Sequence, residues 1–258
     1  MTTTVYDIDG RQVSSDTRWS ANLVLSDGKK YVAYVDDCEF EKIADLTNSV
    51  LVLAGNGVLI AQWKKWWYTS RDPKSLPPTD INGQNVISLL IIDKLKDEII
   101  FDAGNKKAMF CYETERVISV FSGSGDIHAA SCWDLNRCAK KAIETASNAD
   151  IYTSNIVRFV DFNSGETNLE HTEFNYQCIV DAIMERGFVV NISTSPAANE
   201  VGVPLSQDKV SKEIKEMLAS GKAVASAPVP GIGKFQWNQE QKDKLAKAIE
   251  RVNELESM

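Results

Sequence analysis

Histidine is nearly missing from this chain: His128 and His171 are the two among 258 residues. Neither belongs to a His-Glu-x-x-His frame, so a histidine-built metal site is not expected. Cysteine is scarce and odd in number. Cys38, Cys111, Cys132, Cys138 and Cys178 contain no Cys-x-x-Cys pair, which argues against a disulfide framework or a thiolate zinc site and leaves buried reduced thiols as the expectation. No cofactor is implied. No apolar run approaches the ~18 residues of a membrane span, and the start lacks the charged, apolar and small-residue segments of a secretory signal, so a cytoplasmic location is expected. A net charge of -8 with no cluster of Lys and Arg argues against nucleic acid or an anionic membrane as partner.

What the chain does have is an ordinary globular balance, 43% hydrophobic and 25% charged residues, enough for a sizeable core. Thr3 to Asp9 and Arg11 to Ser15 read as two strands joined at Asp9-Gly10, a tight-turn pair. Lys30 to Val35 and Glu41 to Leu46 read as a third and fourth strand, with Asp16 just past the second. Val50 to Ala54 is an apolar run ending in Gly55-Asn56-Gly57, and Leu59, Trp63 and Trp66 then recur at helical spacing to about Ser70. Pro73, Pro77 and Pro78 end that helix.

Four strands follow between Ser88 and Phe121, then one long helix from Ile127 to Ala146 entered through Ser122 to Asp126. Asp150 to Phe162 returns to strand composition. A helix around Glu173 to Arg186 precedes a strand at Phe188 to Ile192. Beyond it, two Ala-, Pro-, Gly- and Ser-rich segments, 195–206 and 223–233, each precede an amphipathic helix, Asp208 to Leu218 and Asn238 to Leu255. This order favours an α+β protein whose sheets stack with helices outside.

The first residues carry chemistry. Once Met1 is removed, Thr2 presents a hydroxyl nucleophile and a free α-amine of pKa about 7.7 to 8.0, a base on the same residue. An edge strand is the plain alternative. Other pairings are weaker. Gly55-Asn56-Gly57 supplies two glycines of the three in a dinucleotide loop. His128 near Ser122 and Ser124 lacks a nucleophile-elbow frame. Trp63, Trp66 and Trp67 beside Lys64 and Lys65 read better as a buried helix face than as a base-stacking platform.

Taken jointly, Thr2-Thr3-Thr4-Val5, Ser15-Asp16-Thr17-Arg18, Glu41-Lys42-Ile43, Leu53-Ala54-Gly55-Asn56-Gly57, Gly123-Ser124-Gly125 and Asp150-Ile151-Tyr152-Thr153 resemble the ordered motifs of proteasome β subunits and HslV-type peptidases. The resemblance spans roughly residues 2 to 165. It implies the N-terminal-nucleophile hydrolase fold, a four-layer αββα sandwich of two stacked antiparallel sheets, in a domain 1–170 followed by a helical C-terminal extension 171–258. That extension is expected to pack on the domain or at a subunit contact.

The resemblance also implies roles. Thr2 attacks an amide carbonyl, Lys42 lies beside its hydroxyl, Asp16 holds the Lys42 ammonium, and the Gly55 N–H faces the oxyanion, where the missing side chain lets substrate approach. Ser124, Asp126, Asp150 and Thr153 gather around the amine. Asp126 and Thr153 stand where many β subunits have serine, and the Thr2 to Asp16 spacing is shorter than usual. The implied partners are a peptide or protein substrate, further copies of the chain in a homo-oligomer or ring, and an unfoldase. The alternative from another class is a catalytically silent assembly protein acting through its C-terminal helices.

Overall fold

Alternation along the first strand divides the core. Val5 packs in a cluster with Phe121, Ala130, Trp133, Ala142 and Ile143, whereas its neighbour Tyr6 packs with Val13, Ile43, Val50, Val52, Leu90, Ile92 and Val120. Successive strand side chains point to opposite faces, so one short strand serves two clusters. The computed structural model describes residues 2–193 and 202–258. Met1 and residues 195–201 of the first Ala- and Pro-rich segment lie outside the described residues.

The described elements run β1 (Thr3–Asp7), β2 (Gln12–Asp16), β3 (Trp19–Val24), β4 (Lys30–Val35), β5 (Ile43–Asp45), β6 (Ser49–Asn56) and α1 (Gly57–Thr69). Next come β7 (Asp80–Ile81), β8 (Gln84–Asn85), β9 (Ile87–Asp93), β10 (Glu98–Ala103), β11 (Lys107–Phe110), β12 (Val117–Gly123), α2 (Asp126–Asn136), α3 (Ala139–Ser147) and β13 (Val157–Asp161). The chain closes with α4 (Gln177–Arg186), β14 (Phe188–Asn191), β15 (Val203–Pro204), α5 (Ser211–Ala219), β16 (Ser226–Ala227) and α6 (Gln239–Glu256). It is an α+β protein with two large antiparallel sheets. The five-stranded sheet has the order β11-β12-β1-β2-β13; the nine-stranded sheet runs β10-β9-β6-β16-β3-β4-β14-β15, with β5 also on β6. No described helix is long and apolar enough to cross a membrane.

Several expectations need correction. The long helix from Ile127 to Ala146 is two helices, because Arg137 adopts a left-handed conformation, φ 49°, and Cys138 is extended. The strand expected from Glu41 is only Ile43–Asp45, so Lys42 precedes it, and β3 intervenes earlier, making this strand the fifth. Asp150 and Thr153 lie in a loop ahead of β13 rather than in a strand. Asp16 is the last residue of β2 rather than beyond it. Of the cysteines only Cys38 is buried; the other four are partly exposed, and all five are free. The tryptophan face of α1 is buried, with Trp63 donating its indole N–H to the Pro78 carbonyl at 2.9 Å.

Candidate active site

Hairpin register builds the first half of the site. Thr4 pairs with Ser15 and Val5 with Ser14, which sets the start of β1 against the end of β2, where Asp16 stands. The Asp16 carboxylate is buried and collects donors on both oxygens. Oδ1 accepts the Thr2 hydroxyl and, at 2.7 Å, the Thr3 N–H. Oδ2 accepts the Arg18 N–H at 2.9 Å and the Ser154 N–H at 3.1 Å.

Lys42 arrives from the other sheet. Its backbone is held by Leu53, whose N–H donates to the Lys42 carbonyl at 2.9 Å, one residue before the Ile43↔Val52 pair of β5 and β6. Its ammonium reaches across to donate to the Asp16 carbonyl at 2.8 Å and lies 3.0 Å from Asp16 Oδ1. The ammonium also stands 5.6 Å from the centre of the Trp19 ring. Burial holds the Lys42 pKa below the ordinary lysine value, and Asp16 opposes that shift. Thr2, Asp16 and Lys42 therefore converge on one oxygen inside the protein, and Thr2 itself is 0% exposed.

A second network lies beside the first. Ser124 and Thr153 both donate to Asp150 Oδ2, Thr153 at 2.7 Å. Thr153 has spent its proton there, so the 2.8 Å contact between Thr3 Oγ1 and Thr153 Oγ1 is a bond donated by Thr3. Thr3 thus joins the two networks, through its N–H to Asp16 and its hydroxyl to Thr153. Sequence reasoning passed over Thr3 and Ser154. The repeated threonine at the start was the available signal for the first; the second acts through a backbone N–H, which no side-chain motif announces.

The glycines explain the fit. A Cβ on Gly123, at φ +106°, would lie 1.7 Å from the Thr2 carbonyl oxygen, and one on Gly125 would lie 2.2 Å from Thr3 Oγ1. The Gly-Ser-Gly turn is therefore shaped to seat the first two threonines. At Gly55, φ +121°, a Cβ would lie 2.2 Å from the Val86 carbonyl oxygen, so it is the neighbouring strand, rather than an incoming substrate, that demands glycine there.

Two expected groups stand apart. Asp126 opens α2, and burial raises its carboxyl pKa, yet among the described residues it makes no hydrogen bond to Thr2, Thr3 or Asp150. Gly55 is paired with Ala227 of β16 on one side and Ile87 of β9 on the other. His128 is exposed, with no bond to Ser122 or Ser124. Among the described residues no group of three His, Cys, Asp or Glu is placed to hold a metal ion.

No family model and no curated protein sequence matches the chain. Among solved structures the chain is similar to the crystal structure of eukaryotic HslV from Trypanosoma brucei, at 16% identity and a TM-score of 0.30. That likeness covers 62% of this chain and 98% of that one. At this level it assigns no residue a role.

Proposed function

We propose that the chain is a threonine hydrolase of the proteasome β and HslV class, cleaving peptide or other amide bonds at Thr2 once Met1 is removed. The observation that supports it is the meeting of the Thr2 hydroxyl and the Lys42 ammonium on Asp16 Oδ1 in a buried setting. A solvated strand lysine has no cause to cross between sheets.

In this reading the Thr2 Oγ–H bond breaks as Oγ bonds to the carbonyl carbon, and the α-amine takes the proton, directly or through a water. Once the Ala227 pairing at Gly55 is released, the tetrahedral oxyanion accepts from the Gly55 N–H. Collapse breaks the C–N bond, the leaving amine takes the proton from the α-ammonium, and water then hydrolyses the ester and restores Thr2. Lys42 keeps positive charge beside Oγ throughout. Asp16, with its oxygens engaged by Lys42, the Thr2 hydroxyl and three backbone N–H groups, acts as the anchor rather than as the base. The Thr3, Thr153, Asp150 and Ser124 chain orients the threonine end.

A four-layer αββα arrangement belongs to the same reading, with α2 and α3 outside one sheet and α1, α4 and α6 outside the other. The separate clusters around Val5, Tyr6 and Trp63 support it. The same reading includes a hydrolase core of residues 1–170 with an extension 171–258, a cytoplasmic setting, and self-association by a repeating contact that closes into a ring.

A peptidase assay tests the function. Lys42→Ala is expected to lower kcat by about 100-fold or more, the scale of a lost electrostatic contribution near a reacting oxygen. A rate equal to wild type would instead favour the catalytically silent assembly protein, a reading favoured by one observation, the complete enclosure of Thr2.

A further inference from the structure

The nine-stranded sheet contains a strand of only two residues in a central position. β16 lies between β3 and β6 and is antiparallel to both, with Ser226 opposite Ser20 and Asn56 and Ala227 opposite Gly55. The far edges of β3 and β6 are already filled by β4 and β9. The near edge of β6 is taken by β5 as far as Val52. What remains beside Gly55 is a slot one strand wide, and residues from late in the chain fill it.

The contacts in the slot are mostly backbone. Gly57 donates its N–H to the Ala225 carbonyl at 3.1 Å, and Ala225 donates its own N–H to the Tyr176 hydroxyl at 2.8 Å. A Cβ on Gly57 would lie 2.3 Å from that Ala225 oxygen, so glycine lets the two backbones close up. Pro228 follows at once, and with no N–H it cannot extend the ladder. Main-chain pairing along a strand edge with pockets for alternate side chains is how extended peptides are recognised.

We propose that β16 stands where an extended peptide substrate would lie, so that the chain closes its own substrate slot with residues 225–227. This rests on the hydrolase reading, in which the Gly55 N–H must face the scissile carbonyl while Gly55 is here paired with the chain's own Ala227. The occupant also describes the substrate. Ala225 and Ala227, two apart and therefore on one side of the strand, are each 0% exposed, so the slot accepts peptides with small side chains at alternate positions. Release of a two-residue strand opens the slot without dismantling β3 or β6, which keep β4 and β9 on their far edges.

Two measurements on the full chain test the slot. In the first, a fluorescein-labelled peptide copied from residues 222–229 is titrated into wild type, Ala227→Asp and Ala225→Asp and followed by anisotropy. Each variant puts a charge where a methyl is enclosed in the resident strand and leaves the walls of the slot, including the Tyr176 hydroxyl, as they are. Both are expected to bind the peptide at least about tenfold more tightly than wild type, because loss of the resident strand's contacts frees the slot. A peptide with leucine at the positions of Ala225 and Ala227 should lose that gain.

Folded variants that bind no better than wild type overturn the proposal. The second measurement needs no variant: in wild type the amides of Ser226 and Ala227 should exchange with deuterium at least about 100-fold faster than those of Leu51 and Ala33, as a locally opening segment does. Equal protection overturns it too. Neither readout depends on Thr2 reacting, so a slot that binds peptide beside an inert Thr2 would defeat the hydrolase reading alone.

Discussion

Lys42 and Thr2 meet on a single atom: the Lys42 ammonium lies 3.0 Å from the Asp16 Oδ1 that accepts the Thr2 hydroxyl. All three residues are buried, so the arrangement is held by pairing rather than by solvent.

The carboxylate should matter more to folding than the lysine. Asp16→Ala removes the partner of a buried ammonium and leaves the Thr3, Arg18 and Ser154 N–H groups without their acceptor. Its cost is expected at about 3–5 kcal/mol, the range for breaking a buried ion pair. Lys42→Met leaves Asp16 its other donors, so its cost is expected to be smaller, about 1–3 kcal/mol. Urea unfolding of the two variants checks the order; a cheaper Asp16→Ala contradicts it.

Lys64 should make stability rise with alkaline pH. It is 0% exposed, its Nζ has no hydrogen-bond partner among the described residues and lies 4.3 Å from the centre of the Phe40 ring, and burial lowers its pKa to about 8. Below that value both folded and unfolded chains are protonated and the cost of the buried cation is complete. Between about pH 8 and the ordinary lysine value of about 10.4 the unfolded chain binds more protons, so stability increases with pH, by at most about 3 kcal/mol. Lys64→Met is expected to flatten that rise and to be more stable than wild type at pH 7, with Arg158 remaining 3.5 Å from Glu41. Denaturation at pH 7, 9 and 10 measures it.

Gly123→Ala should be among the most damaging single methyl additions. Its Cβ has no room beside the Thr2 carbonyl, and its φ of +106° strains any L-residue. A loss above about 3 kcal/mol is expected. Gly28→Ala, at φ +74° with no atom of the described residues within 4 Å of the added Cβ, isolates the backbone contribution and should cost about 1 kcal/mol. Thermal unfolding of the two variants separates crowding from strain.

The two acids near α2 should separate kinetically. Asp150 is the acceptor shared by Ser124 and Thr153, and Asp150→Asn is expected to lower peptide turnover about 10–100-fold by disordering the chain that reaches Thr3. Asp126 touches none of these groups, so Asp126→Ser should stay within about threefold of wild type. A large effect of Asp126→Ser with an unimpaired Asp150→Asn would reverse the assignment.

The parts of this fold legible in the sequence are those with strong local signals. The hairpin at Asp9-Gly10, the tryptophan-bearing α1 and the stripe of Leu245, Ile249 and Val252 on α6 all follow from periodicity and turn chemistry. β3 was hidden because its buried positions include Ser20 and Ala21, which break the apolar alternation. β16 was hidden because two residues in an Ala- and Pro-rich stretch become a strand only through partners far away in the chain. In the site, Asp16 comes near Thr2 by a hairpin and was readable. The approach of Lys42 depends on β5 register, and the parts played by Thr3 and Ser154 depend on backbone N–H directions, which residue identities do not encode.

The most direct measurement is intact mass of the purified protein before and after exposure to a peptide epoxyketone, an electrophile that bridges the hydroxyl and α-amine of an N-terminal threonine, run beside Thr2→Ala. The account predicts a protein lacking Met1 that gains one inhibitor mass, localised to Thr2, with none gained by Thr2→Ala. A retained Met1, or equal labelling of Thr2→Ala, would contradict it.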